Sequence, residues 1–466
     1  MKRFELPDIK HPGYGTIDPL DNRYFDPQIA KYLSEQSRVV YQAYIESALA
    51  HTLAESGICG KNIAEEIESS ASNIDINKVY EEEKTTRHDI KALVNVIKAG
   101  ISEEAKPYVH FGATSYDIIA NAQILQLRDA TNEVILPRLK ELLKVLAGLA
   151  EKYAQTPQVG RTHGQHGVPI TFGFAIAQHV SRLGGSIKAI EDLAGGLSGK
   201  FSGATGSYNA LSVFIDDPLK FEQAVLSKIG LKPSEASTQI APPEYIIRLI
   251  DEMTIASGIL ANLGHDMRHL ARTEIAEVRE KFEAGQTGSS TMAHKMNPWN
   301  FENLVSMHKQ ILSQQLNANL NLSSEHQRDL TDSANSRFYV LVPAILANMA
   351  KRAESIMSKI EVNEKQMQKN LKLTGGAIAA EPLYLLLEKN GHTKAHEASK
   401  RVAHSALEKG VSLADEVRND EELRKYWDTF TDKEKQIIEN PERYYLGLSA
   451  EKTRLIVKNS QDALPH

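Results

Sequence analysis

Between positions 287 and 298 the chain reads Thr287-Gly288-Ser289-Ser290-Thr291-Met292-Ala293-His294-Lys295-Met296-Asn297-Pro298. Small residues open this loop, Lys295 and Asn297 give it a cation and an amide, and Pro298 closes it. A loop of this kind can carry a hydroxyl base and carboxylate-binding groups over a pocket. A serine hydroxyl is a poor base by itself. Acting as the alkoxide, it needs stabilisation by Lys295, a helix terminus or a backbone donor. Four further polar clusters carry compatible chemistry. Thr85-Thr86-Arg87-His88-Asp89 is followed by Tyr108-Val109-His110-Phe111-Gly112-Ala113-Thr114-Ser115. Next come Gly160-Arg161-Thr162-His163-Gly164-Gln165-His166 and Lys200-Phe201-Ser202-Gly203-Ala204-Thr205-Gly206. The last is Arg328-Asp329-Leu330-Thr331-Asp332-Ser333, with Arg337 one turn on. Together they supply guanidinium groups that grip carboxylate or phosphate through paired hydrogen bonds. Hydroxyls and glycine backbones act as neutral donors, and imidazoles titrate near neutral pH. These are the parts needed to hold a polyanion and move protons.

Each cluster also has a plainer reading. His88 reads equally as a capping residue ahead of a helix, and Arg328 with Asp329 as a solvated charge pair. His110 and Thr114-Ser115 read as loop and N-cap chemistry, Lys200 to Gly206 as a turn, and Arg23-Tyr24 as a surface turn. The three-residue spacing of His163 and His166 suits a metal pair, but no Cys cluster or His-Glu-x-x-His pattern accompanies it, so no metal is expected.

The elements that must position these groups are helical. In the 466 residues, 41% are hydrophobic and 24% charged, the balance of a soluble globular protein with room for two or three domains. The net charge is −6 with both signs mixed, which argues against a general nucleic-acid binder. No apolar run is long enough to span a bilayer, and the first residues lack the apolar core of a signal peptide. A single cysteine, Cys59, excludes an intrachain disulfide and fits a reducing, cytoplasmic setting. Apolar residues recur at three and four across 118–153, where Pro137 predicts a kink. The pattern repeats across 171–194. Residues 244–278 contain no proline, and as one helix they would run about 50 Å. Two more long helices are expected over 300–322 and 333–360. Helices of this length suggest an elongated bundle whose outer stripes are buried by other subunits. The expected domains are 1–114, 115–368 with the long helices, and 369–466 after the break at Leu373-Thr374-Gly375-Gly376.

The 287–298 run resembles the signature of the fumarase/aspartase superfamily, Gly-Ser-Ser-x-Met-Pro-x-Lys-x-Asn-Pro. It matches every fixed position but one, where Ala293 replaces Pro. The remaining clusters appear in the order found in the adenylosuccinate lyase branch, beginning at Asp21-Asn22-Arg23-Tyr24 and including Ser237-Thr238-Gln239. That resemblance covers nearly the whole chain. It implies an all-α fold of three helical domains, whose long helices assemble into a twenty-helix core in a homotetramer. Each active site would draw on three subunits. It also implies a cofactor-independent β-elimination that releases fumarate from succinyl-purine substrates. By the same resemblance Ser289 is the general base and His163 the general acid. Glu302 orients His163, His88 is a further catalytic residue, and Arg87 and Asp89 lie beside it near the substrate. Lys295, Asn297, Thr114 and Ser115 bind the succinyl carboxylates. Arg23, Tyr24, Arg328, Ser333 and Arg337 hold the phosphate and ribose, and Gln239 and His110 are further contacts. Two departures bear on this. Ala293 leaves the loop backbone less restricted, and Ile240-Ala241-Pro242-Pro243 follows Gln239 where many relatives carry Arg or Asp nearby.

Overall fold

The computed structural model describes residues 1, 3–10, 15–282, 291–292 and 294–460. Ser289, the expected base, and Ala293 lie outside the described residues. Helices dominate. Two short antiparallel pairs, Pro157–Thr162 with Gln165–Thr171 and Val278–Arg279 with Glu361–Val362, are the named strands among the described residues. The chain divides into two compact units. One comprises Met1–Leu139, Ser186–Gly258 and Ser306–Lys351, and the other Lys140–Gly185, Ile259–Val305 and Arg352–His466.

In the first unit the helix Glu35–Glu55 is buried on nearly every side, from Val39 through Ile45 to Leu53. It packs against Lys61–Ser72 and Ser115–Ala130. A helix apolar all round belongs in a core, yet this one also buries Glu46, whose partner is described below. The helix Ser115–Ala130 starts beside a buried polar anchor. Asp117, fully buried, accepts from the Thr114 N–H (2.8 Å) and from Lys200 Nζ (2.5 Å), which is fully buried as well. Lys200 Nζ also donates to the Gly203 carbonyl (2.8 Å). Asn121 bonds both edges of Lys200: its amide donates to the Lys200 carbonyl (2.6 Å) and its oxygen accepts the Lys200 N–H (3.1 Å). The Lys200–Gly206 turn is thereby fixed to the start of the Ser115 helix. Its far end carries Gly206 at φ +79°, where a Cβ would come within 2.0 Å of the Ser237 carbonyl, so only glycine fits.

The expected kink near Pro137 takes a different form. The helix widens into a π turn over Thr131–Ile135, and Leu136–Lys152 continues from it. Pro137 lacks the N–H that would bond four residues back, and its ring needs space there. One wide turn supplies that space.

The long helices are shorter than their apolar patterns. The expected 244–278 helix spans Glu244–Leu270. Beyond it Ala276 takes φ +48°, which ends any helical path and turns the next residue, Glu277, into the interior of the second unit. The 300–322 expectation corresponds to Trp299–Leu320. The 333–360 one corresponds to a 3-10 turn, Asn335–Val340, leading into Leu341–Met357 with Pro343 in its first turn. In the second unit Leu383, Leu387, Val402, Leu413, Val417, Trp427 and Ile438 form a compact cluster after the glycine break.

The helical reading left no place for the hairpin at 157–171. Its strands pair Thr162 with Gln165, leaving His163 and Gly164 as a two-residue turn with φ +54° and +75°. Two successive left-handed residues are the hairpin turn whose twist matches the strands. The strands alternate too little in hydrophobicity to announce themselves.

Removing the Lys200 charge while keeping its bulk leaves the Asp117 carboxylate buried and unpaired. Lys200→Met is expected to lower unfolding free energy by about 3–5 kcal/mol, the usual effect of breaking a buried pair from one side. Denaturant titration checks it, and a loss under about 1 kcal/mol would contradict the anchoring role.

Candidate functional site

In the first unit, the junction between the helices Ile76–Thr86 and Asp89–Ala99 consists of two residues. Arg87 caps the first in the left-handed region (φ +52°), and His88 caps the second in extended conformation. His88 Nδ1 accepts the Lys91 N–H (3.4 Å). That assigns the ring proton to Nε2, which faces Ser115 Oγ at 3.5 Å. The capping reading of His88 holds: one nitrogen caps the start of the helix, and the other faces the Ser115 hydroxyl. Asp89 lies in the first helical turn, where the macrodipole favours an anion. It receives Arg38 (3.4 Å) and, more distantly, Arg337 (4.0 Å). Arg38 forks onto Glu35 through Nε (3.0 Å) and Nη2 (2.5 Å). Burial alone would raise the Glu35 carboxyl pKa, but the Arg38 bonds and charge outweigh it and hold it below the usual range.

These groups line a cavity of about 390 Å³. Arg87, His88, Asp89, Ser115, Ser333 and Arg337 supply its polar wall, while Ile119, Ala120, Pro242 and Pro243 supply an apolar one. Three guanidinium groups (Arg38, Arg87 and Arg337) stand there with the carboxylates of Glu35, Glu83, Asp89 and Asp332. Arg87 and Arg337, the serine hydroxyls and the imidazole beside an apolar surface are the groups that could receive an anionic ligand carrying a flat ring. Arg337 is 63% exposed, its charge available at the rim.

Arg328 is turned the other way. Its side chain is 1% exposed and pairs with Asp332 at 2.6 Å. Nη1 donates to Gln239 Oε1 (3.0 Å), and the guanidinium lies 3.7 Å from the centroid of the Tyr116 ring. Tyr116 in turn donates to Ser333 Oγ (3.4 Å). Neither Arg328 nor Gln239 lines the cavity, although their neighbours Ile240, Asp332 and Ser333 do. Thr114 is the N-cap of the Ser115 helix. Tyr24 lines a different cavity, about 580 Å³, with Asp18, Asp21 and Asp26, and Arg23 beside it is exposed. His110, at φ +62°, is turned to buried Glu46, with Nδ1 and Oε1 2.6 Å apart.

The second unit carries His163, exposed at the hairpin tip. The hairpin is pinned from beneath by Glu277, which is fully buried. Glu277 accepts both Arg161 terminal nitrogens (2.6 and 3.2 Å), the Gln158 amide (2.7 Å) and the Asn370 amide (2.8 Å). Four charge-assisted or neutral bonds to one carboxylate make this a fixed base for the turn. Lys295 is exposed, its N–H bonded to the Met292 carbonyl (3.0 Å), and Asn297 follows it just ahead of the Trp299–Leu320 helix. Glu302 sits in that helix's first turn, exposed. Both Glu302 and His163 are described residues, and no hydrogen bond or ion pair joins them within the chain. Among the described residues no group of three or more His, Cys, Asp or Glu is arranged to hold a metal ion.

Sequence reasoning passed over Arg38, Tyr116, Asp117, Asp332 and Glu277. Asp117 had a signal: it stands three after Thr114, the spacing of a capping box. Arg38 and Asp332 pair with Glu35 and Arg328 at the ordinary three- and four-residue helix spacing, which marks no site, while Tyr116 and Glu277 hold partners across long sequence separations.

Two family descriptions match the chain: "Lyase" over residues 24–313 and "Adenylosuccinate lyase C-terminal" over 324–427. The adenylosuccinate lyase of Methanocaldococcus jannaschii is 31% identical over 97% of this chain and 97% of its own length. That of Archaeoglobus fulgidus is 32% identical over 95% and 98%. That of Bacillus subtilis is 30% identical over 86% and 92%. Among solved structures, the 3-carboxy-cis,cis-muconate lactonizing enzyme from Pseudomonas putida superposes with a TM-score of 0.84 at 25% identity, covering 96% of this chain and all of that one. A fumarate lyase from Mesorhizobium sp. BNC1 gives 0.83 at 24% identity with the same coverage, a likeness of fold. The all-α expectation agrees with these neighbours.

The His110–Glu46 pair makes stability depend on pH. Burial pulls the His110 pKa down, but the Glu46 charge and hydrogen bond outweigh it, so the folded value lies above the ordinary one. A raised pKa stabilises the fold fully below the unfolded value near 6.5, and the contribution fades as pH rises through the folded value. The gap in urea midpoint between the parent protein and His110→Gln should therefore be widest near pH 6 and shrink towards pH 9. A gap that is constant or widens with pH would contradict the pairing.

Proposed function

This chain belongs to the adenylosuccinate lyase family of the fumarase/aspartase superfamily, and from that premise we propose that it releases fumarate by β-elimination from adenylosuccinate, leaving AMP. The same chemistry would act on the succinyl-aminoimidazole-carboxamide ribotide of purine biosynthesis. The observation that carries this reading is the near full-length match to adenylosuccinate lyases. The cavity where Arg87, His88, Ser115, Ser333 and Arg337 converge gives it physical support.

The difficult step is removing a proton from the carbon next to a carboxylate. In this reading Ser289 takes that proton, and the electron pair passes into the carboxylate as an aci-dianion. Lys295, Asn297, Thr114 and Ser115 stabilise the developing charge as preorganised donors. The C–N bond then breaks, and His163 protonates the departing nitrogen. In this reading Glu302 orients His163 across a subunit boundary, as the sharing of each site among subunits would require. His88, with Arg87 and Asp89, lines the substrate side.

Arg337 and Ser333 receive the phosphate, with Arg23 and Tyr24 reaching the ribose side. Arg328 works from behind: its ties to Gln239, Asp332 and Tyr116 support a part in holding the wall that the substrate touches. No cofactor enters the proposed reaction.

The same reading takes the protein as a cytoplasmic homotetramer with shared active sites, built from helical domains over 1–114, 115–368 and 369–466. Leu312, Leu316 and Leu320 stand 44%, 61% and 66% exposed along one stripe of the Trp299–Leu320 helix. An apolar stripe of that kind calls for a covering surface, and another copy of the chain supplies it. No described helix is long and apolar enough to cross a membrane.

Purified protein given adenylosuccinate should release fumarate, with argininosuccinate left intact. Absence of fumarate from a folded protein would sink the reading. Ser289→Ala and His163→Ala should each lose about 10²–10⁴ in turnover, and near-normal turnover in either would remove its assigned role. Arg337→Ala should chiefly raise KM, which steady-state kinetics reads directly.

A further inference from the structure

The Trp299–Leu320 helix carries Glu302 in its first turn, yet the residue before it, Pro298, has no side chain able to cap it. The cap comes from elsewhere in the chain. Glu280 is 4% exposed, and its Oε1 accepts the Phe301 N–H (3.0 Å) while its Oε2 accepts the Asn300 amide (2.8 Å). Asn300 Oδ1 accepts Arg352 Nη1 (2.6 Å), and the Arg352 guanidinium lies 5.7 Å from the centroid of the Trp299 ring. One buried carboxylate thus fixes the Asn300–Phe301 peptide and the Asn300 side chain in the first turn of the helix that carries Glu302. Burial pushes the Glu280 carboxyl up in spite of these bonds, so keeping an acid there carries a desolvation cost. Stability alone does not explain that, because apolar replacements of buried ionic groups are often neutral or stabilising.

We propose that Glu280 is a positioning residue for the lyase reaction: through Phe301 and Asn300 it fixes the start of the Trp299–Leu320 helix and thereby the direction in which Glu302 is presented. The inference rests on the reading of Glu302 as the partner of His163. Misplacing a group by about 1 Å can cost on the order of a hundredfold in rate, and an effect of that origin falls on turnover more than on substrate binding.

The bonding pattern supplies its own rescue. In E280Q the new amide meets the Asn300 amide donor to donor. In the double variant E280Q/N300D the pattern is restored with its polarity exchanged. The amide at 280 donates to the carboxylate at 300, its oxygen still accepts the Phe301 N–H, and Arg352 keeps an acceptor. Steady-state fumarate release and unfolding midpoints are measured for the parent, E280Q, N300D and the double variant. Expected is a fall in kcat of about ten- to a hundredfold for E280Q, with KM within about twofold, and recovery to within about threefold of the parent in the double variant. E280Q with near-parental kcat would overturn the proposal. So would a double variant that regains the parental unfolding midpoint but not its kcat, since that marks a purely structural bond. If E280Q does not fold, the double variant's kcat alone decides: near parental supports the proposal, and a loss beyond tenfold overturns it. A parent protein that releases no fumarate would overturn the functional reading and this inference with it.

Discussion

The buried pair between Asp117 and Lys200 is the constraint on which the cavity-facing side of the first unit depends. Both side chains are fully buried, so each charge is tolerable only while the other is in place. Asp117 meets that condition by drawing in the Thr114 N–H at the start of the Ser115 helix and the turn that follows Lys200. That turn leads to Gly206, against which Ser237 packs too closely for any side chain. Two residues beyond Ser237, Gln239 meets Arg328, and Arg328 lies against Tyr116, back on the Ser115 helix. Ser115 and Ser333 therefore face the cavity from a closed circuit of contacts, and loosening the ion pair would relax the whole wall.

The same device recurs. Glu46 holds His110, Glu277 holds the hairpin that ends in His163, and Glu280 holds the helix that begins before Glu302. In each case a carboxylate buried among apolar helices reaches a polar segment that could not shape itself. Helices of this kind provide rigid walls but few polar side chains that can point inward. Chemistry has to be carried by the connections, and connections have to be tied down. A buried carboxylate does this well because it accepts several directional bonds at once and is costly to leave unsatisfied.

This explains how much was legible in advance. The helical class followed from three-and-four periodicity, which survives any detail of packing. The polar clusters followed from composition, and several of them do converge: Arg87, His88, Asp89, Ser115, Ser333 and Arg337 line one cavity. What the sequence did not disclose was direction. Nothing in the run from Arg328 to Ser333 says that the arginine faces inward while Ser333 faces the cavity. The hairpin was invisible because its turn relies on His163 adopting a left-handed conformation that few would assign to histidine. The helix beginning at Glu244 stops at Leu270, and nothing local in 271–278 says that Glu277 turns inside to meet Arg161, more than a hundred residues earlier. The carboxylates that do the tying look like any surface acid until their partners are known.

We propose that the lyase site is completed by more than one copy of the chain, with His163 and Glu302 acting across a subunit boundary. Complementation tests it most directly. His163→Ala and Glu302→Gln would be co-expressed with different affinity tags, and the assemblies carrying both tags isolated and assayed for fumarate release. Each variant alone should be nearly inactive and the mixed assembly should regain activity, because some of its sites combine an intact His163 from one copy with an intact Glu302 from another. A mixed assembly as inactive as its parents would contradict the proposal and return the pair to a single chain.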